Sequence, residues 1–248
     1  MTPFFRTVFA ALAALAAVAG PAGAAETNVA VAANFTEPAK EIAAAFAAKT
    51  GHSAVLSFGS TGQFYTQIKQ EAPFAILLAA DAATPKTLAA EGLAVADSRF
   101  TYAVGKLVLW GKSPKVVAGE AALKAGAFEK LAVANPALAP YGAAGLQVLG
   151  KLGLTETLAP KLVQGNNISQ TFQFVDTGNA ELGFVALSQV IGRVEGHVWL
   201  VPAVLYDPIL QDAVLLKKGE TDEAARAFLA FLKGPEAKAV IEKYGYGF

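Results

Sequence analysis

Apolar and polar positions along the chain alternate between two periods. Short blocks rich in Val, Leu, Ile and Ala read as strands: NVAVAA (28–33), SAVLSF (53–58) and FAILLAA (74–80). The last is continuous enough to be buried on both faces. Between them lie helical segments. EPAKEIAAAFAAKTG carries Ile42 and Phe46 four apart and stops at Gly51, and QFYTQIKQE follows the second strand. TPKTLAAEG offers Thr84 as N-cap, Pro85 at the first helical position and Gly92 at the end, the usual start and stop signals. Strand–helix alternation of this kind predicts parallel βαβ units.

FTYAVGKLVLWG (100–111) breaks the rhythm with two short strand-like runs. A second alternating set follows: LAVAN (131–135), helix AAGLQVLGKLG, KLVQG, helix SQTFQFVDTG, LGFVA (182–186) and HVWLVP. YDPILQDAVLLKKG (206–219) reads as a returning strand, and TDEAARAFLAFLKG and PEAKAVIEKYG as closing helices. Two crossings, near 100–105 and 202–207, suit two α/β lobes that exchange chain through a hinge. In open α/β sheets ligands sit at the carboxyl ends of strands, which directs attention to the strand-to-helix turns.

Composition changes the picture at the N-terminus. Of 248 residues 54% are hydrophobic, but part of that excess is local to MTPFFRTVFAALAALAAVAGPAGAAETN. One basic residue, Arg6, precedes the apolar run Val8 to Ala19, then Gly20-Pro21 and the small-x-small Ala22-Gly23-Ala24. The run is too short to span a bilayer, and residues 1–25 are expected to be a cleaved export signal. Without them the chain carries 19 basic against 20 acidic residues. That balance, without a run of like charge, argues against nucleic acid or an anionic membrane surface as partner, and the mature chain is expected to be soluble. There is no cysteine, and His52 and His197 stand apart, which excludes thiolate zinc sites and disfavours a His-rich one.

Four turns carry candidate chemistry. AANFTEP (32–38) holds Asn34 and Thr36, with Glu37 at capping-box spacing from Asn34; a plain cap and a donor to an anion are both open. In SFGSTGQFYTQIKQ (57–70), Gly59 and Gly62 flank Ser60 and Thr61. The glycines allow close backbone approach, the helix start favours an anion, and the hydroxyls add donors. Neither phosphate-loop pattern, with its Lys or its glycine triplet, is present. NPALAPYGAAG (135–145) brings Tyr141 to a helix start, and QGNNISQTF (164–172) brings Asn166, Asn167 and Ser169. All four junctions offer neutral donors, and none brings Lys, Arg or His within the turn itself. Such a site suits a fully ionised tetrahedral oxyanion. A protonated phosphate would leave an O–H unpaired unless Asp81 could reach it, a penalty of about 1–3 kcal/mol. A hydrolase reading finds no G-x-S-x-G, no Asp near either His in sequence, and an Asp81–Asp176 carboxylate pair that turn chemistry already explains.

Taken in order, VAVAANFTEPAKEIAAAF, SFGSTGQFYTQI, LLAAD, NPALAPYGAA, GNNISQTFQFV with GNAELGFVALSQV, and YDPILQDAVLL resemble the periplasmic molybdate-binding proteins of molybdate ABC importers. The resemblance covers essentially the whole mature chain. It implies a type II periplasmic-binding-protein fold, with two α/β lobes joined by a two-stranded hinge. Lobe I is then residues 26–103 and 207–248, and lobe II residues 104–206. It also implies a non-enzymatic, monomeric periplasmic receptor that carries molybdate or tungstate to a membrane permease, without a cofactor. Sulfate or thiosulfate is the alternative anion. Carried over by motif, the oxyanion ligands are Asn34, Ser60, Thr61, Tyr141, Asn167 and Ile168. Molybdate is held chiefly through Asn34, Thr61, Tyr141 and the backbone N–H of Ile168. Ala186 stands where some members have a ligand-contacting Tyr, so Tyr141 is expected to supply that phenol from another position. Ala33 offers no hydroxyl where some relatives have Thr.

Overall fold

A computed structural model describes residues 23–113 and 117–248. The export segment expected over residues 1–25 therefore lies outside the described residues, save for its last three. Among the described residues ten strands form two five-stranded sheets. The first contains β1 (Glu26–Ala32), β2 (Ser53–Gly59), β3 (Ile76–Leu78), β4 (Phe100–Gly105) and β10 (Ile209–Leu215). The second contains β5 (Leu107–Gly111), β6 (Leu131–Ala134), β7 (Leu162–Gly165), β8 (Leu182–Ala186) and β9 (His197–Leu200). Their orders are β2-β1-β3-β10-β4 and β7-β6-β8-β5-β9. Within each sheet three strands run parallel through helical crossovers, and two more join antiparallel.

Both sheets are covered on two faces, which is why their central strands are apolar without alternation. On the first sheet, Phe35, Ile42, Phe46 and Phe228 fill one face, while Phe64, Leu77, Leu88 and Val214 fill the other. Full burial of a side chain such as Phe46 stabilises by roughly 1.5–3 kcal/mol. The helix Thr36–Thr50 ends where expected, because Gly51 takes the left-handed conformation (φ 76°) and donates its N–H to Ala47; only glycine adopts this without strain.

Elsewhere the boundaries shift. The helix after β3 starts at Ala83, and Thr84 is not its cap. The Asp81 carboxylate accepts from the Thr84 N–H at 2.6 Å and the Thr84 hydroxyl at 3.2 Å. The block FAILLAA is strand only over Ile76–Leu78. Short helices at Glu120–Ala125, Thr155–Leu158 and Leu187–Val190 carried no periodic signal.

The chain passes between the sheets twice. The first passage takes one residue, Lys106, between β4 and β5, and the second runs from the end of β9 to Ile209. β10 then inserts antiparallel between β3 and β4, with a register shift between Gln211 and Asp212. Bulges of this kind re-aim side chains; Gln211 and Asp212 are both fully buried. Asp212 meets Arg99 at 2.5 Å and Thr101 at 2.7 Å. The last residues return to the crossing, where Val104 and Gly247 exchange backbone hydrogen bonds at 2.8 and 2.9 Å. That bridge carries Tyr246 into the middle of the molecule.

Candidate oxyanion site

Four strand ends, those of β1, β2, β6 and β7, point at one small cavity of about 10 Å³. It is lined by Asn34, Ser60, Thr61, Tyr141 and Ile168 among others, and no charged side chain lines it. The walls are helix starts. Thr61 opens the helix Thr61–Lys69, Tyr141 is the second residue of Pro140–Lys151, and Ile168 opens Ile168–Asp176. First-turn N–H groups have no acceptor within their own helix and carry the positive end of its dipole. The cavity is therefore electropositive without containing a cation.

Ser60 supplies the sharpest observation. Its hydroxyl is buried and without a hydrogen-bond partner. The Ser60 N–H donates to Gln63 Oε1 at 3.1 Å, the Ser60 hydroxyl makes no capping hydrogen bond, and Ser60 lines the cavity. A buried unpaired hydroxyl costs about 1–3 kcal/mol unless a ligand completes it. Thr61 Oγ1 accepts from the Ala80 N–H at 3.0 Å, so its own hydrogen remains available to an acceptor.

The Asn34 capping box does not form; the helix begins at Thr36 without a side-chain cap. Both hydrogens of the Asn34 amide are engaged instead, on Gln211 Oε1 at 2.9 Å and the Tyr246 hydroxyl at 3.0 Å. What Asn34 turns to the cavity is backbone. Asn167 does not line the cavity; its Oδ1 accepts from the Gln170 N–H at 3.0 Å, the plain cap that the sequence left open. Tyr141 is buried, and its hydroxyl accepts from Gln211 Nε2 at 3.1 Å. Burial pushes the phenols of Tyr102 and Tyr141 well above their ordinary value, and that of Tyr246 up to about 12. All three are neutral hydroxyls at any physiological pH.

Gln211, Tyr246, Tyr102 and Ser188 surround the site, and motif reasoning missed them. The one signal was the polar pair Gln211-Asp212 inside the apolar run ILQDAVLL. The lobes meet over the cavity through Gly62 N–H to Leu138 O (2.9 Å), Ser188 Oγ to Asn34 O (2.8 Å) and Ser169 Oγ to Ala33 O (3.3 Å). Asp81 is elsewhere. It caps its own helix and lines an adjoining open groove of about 530 Å³, bordered by Leu138, Gln147, Asp207 and Leu210, which shares Ala80, Ala139 and Pro140 with the cavity. Burial raises its pKa. Among the described residues no group of three or more His, Cys, Asp or Glu could hold a metal ion.

Residues 27–247 match the family model described as bacterial extracellular solute-binding protein. The chain belongs to the bacterial extracellular solute-binding proteins. Within that family it is 57% identical to the molybdate-binding protein ModA of Rhodobacter capsulatus, over 99% of each chain. It is 59% identical to the ModA of Azotobacter vinelandii, over 90% of each. Among solved structures, the Azotobacter vinelandii periplasmic molybdate-binding protein superposes with a TM-score of 0.87 at 40% identity, covering 90% of this chain and 99% of that one. The two-lobed architecture, with its double crossing, is the type II periplasmic-binding-protein fold.

Proposed function

We propose that this solute-binding protein captures molybdate, and also tungstate, as a fully ionised tetrahedral oxyanion between its lobes and delivers it to the membrane permease of an ABC importer. The observation that carries this reading is the unpartnered Ser60 hydroxyl, buried in a cavity without charged side chains. The names of the relatives supply the anion. The hydroxyls of Ser60, Thr61 and Tyr141 and the backbone N–H groups of Asn34 and Ile168 hold it, while Asn167 orients the helix that presents Ile168. Neutral donors fix an oxyanion by hydrogen bonds stronger than neutral pairs, and no bond is made or broken. The two lobes, divided at Lys106 rather than inside β4 and again before Ile209, close about these two crossings. The working form is a monomer in the periplasm, reached by export on the N-terminal segment.

The protein as purified from cells supplied with molybdate, examined by native mass spectrometry and elemental analysis, tests the reading. One molybdenum per chain, lost on exhaustive dialysis and regained on adding molybdate, is expected. Sulfur oxyanion in its place, with no uptake of molybdate, would overturn it.

A further inference from the structure

We infer that Gln211 is a positioning residue that sets the direction of a buried hydrogen-bond relay and so leaves the Tyr141 O–H pointing its hydrogen at the bound anion. The inference rests on the oxyanion reading above. Gln211 does not line the cavity, but it sits behind two residues that do. Its Oε1 accepts from Asn34 Nδ2 at 2.9 Å and lies 3.1 Å from the Tyr102 hydroxyl. Its Nε2 donates to the Tyr141 hydroxyl at 3.1 Å. That is the hydrogen bond the Tyr141 hydroxyl accepts. A phenol oxygen that accepts from an amide keeps its own hydrogen for another acceptor.

The direction of the relay is decided at its far end. The Tyr246 oxygen stands 2.8 Å from the Asn34 carbonyl and 2.9 Å from Ser188 Oγ, which is itself 2.8 Å from the same carbonyl. Two hydroxyl hydrogens serve those three oxygen–oxygen contacts. Turning the Asn34 amide over would set a fourth oxygen against Tyr246 with no further hydrogen to share. The amide therefore presents NH₂ to Tyr246, its second hydrogen goes to Gln211 Oε1, and Gln211 must turn Nε2 toward Tyr141. The contacts at Tyr102, to Gln211 Oε1 and the Ala79 carbonyl, are both longer at 3.1 Å; one hydrogen alternating between them is tolerated there. Tyr141 also acts on the Tyr246 phenol as a side-chain hydrogen-bond partner, lowering it against the effect of burial, so without an anion the Tyr141 hydrogen has Tyr246 as its alternative acceptor. Phe35 fixes both flanking rings edge-on, at 4.9 Å from Tyr102 and 5.3 Å from Tyr246.

The consequence is a site in which the Tyr141 hydrogen is left for the anion and one of the oxygen's acceptor positions is already taken. An anion bearing its own proton would meet the phenol hydrogen rather than a lone pair, so Gln211 contributes to selectivity without touching the ligand.

A double-mutant cycle between Gln211→Met and Tyr141→Phe, read by calorimetric titration with sodium molybdate, tests the assignment. Gln211→Met is expected to weaken binding at least about fivefold, the size of one ordinary hydrogen bond. In the Tyr141→Phe background the same change is expected to cost less than about twofold. An equal loss in both backgrounds would overturn the inference, as would a gain in affinity. A gain would show the relay running the other way, with Tyr141 donating to Gln211. A measurement on the unaltered protein guards against a variant that fails to fold. With ¹³Cζ-labelled tyrosine, the resonance missing from Tyr141→Phe should shift on adding molybdate, and an unmoved resonance would contradict the assignment. Failure of the unaltered protein to take up molybdate would sink the functional reading itself; uptake with no coupling sinks only the role of Gln211.

Discussion

The Gly62 N–H donates to the Leu138 carbonyl at 2.9 Å, tying the helix start after β2 to the loop after β6 across the mouth of the cavity. A Cβ at Gly62 would stand 2.9 Å from Leu138 Cα and 3.0 Å from its Cδ2. One partner is backbone and cannot turn aside. Gly62→Ala should therefore oppose closure rather than folding. Molybdate affinity is expected to fall by about tenfold or more, the range of an overpacked contact, with the melting temperature of the unliganded protein within about 2 °C of the original. Calorimetry and a thermal melt check both; undiminished affinity would remove Gly62 from the closing surface.

Ser60→Ala separates a ligand donor from a structural hydroxyl. Because Ser60 Oγ has no protein partner, its removal should leave the unliganded protein as stable as before, or slightly more so. Molybdate binding should weaken by about 1–3 kcal/mol, between about 5- and about 150-fold. A drop in unliganded stability together with intact binding would reverse that assignment.

Gly105 ends β4 where the chain leaves for β5, and the Tyr141 phenol is seated directly on it. A Cβ there would collide with the Tyr141 hydroxyl and stand 2.7 Å from Gln211 Nε2. Gly105→Ala is expected to destabilise the protein by about 1–3 kcal/mol and to displace the phenol from the site. Adding Tyr141→Phe removes the atom first met, so the double variant should recover part of that stability in urea unfolding. No recovery would mean that the clash lies elsewhere.

The phenols also set an alkaline limit. Tyr246 is held at about 12 by burial against an ordinary value of 10.0, and Tyr102 and Tyr141 are shifted the same way. Once unfolded, these groups lose their protons near pH 10, whereas the folded protein retains them. Stability is thus fully present below about pH 10 and lost as pH rises from about 10 through about 12. Denaturant midpoints at pH 8.0, 9.5 and 11 would show it, and equal midpoints at 8.0 and 11 would contradict it.

How much of this was legible in the sequence follows from how local each feature is. The strands with three or more consecutive apolar residues were legible because both sheet faces are covered. Gly51 announced its helix end, and Ser60 and Thr61 announced a donor turn, because each depends on neighbours in the chain. Thr84 misled because the acceptor that caps its helix, Asp81, lies three residues upstream and belongs visually to the strand. Asn34 misled further. Its capping-box spacing with Glu37 was genuine, yet Gln211 and Tyr246, 177 and 212 residues away, claim its amide. Those partners arrive only when β10 inserts beside β3 and Gly247 bridges to Val104, which no local window contains.

The central claim, a donor-only cavity for a fully ionised tetrahedral oxyanion, is tested most directly by calorimetric titration of the ligand-stripped protein with molybdate, tungstate, sulfate and phosphate at pH 6.0 and 8.0. Saturable one-to-one binding of molybdate and tungstate at both pH values is predicted, with phosphate, which keeps a proton at either pH, failing to compete. Phosphate displacing molybdate at equal concentration, or molybdate giving no heat and no competition, would contradict the account.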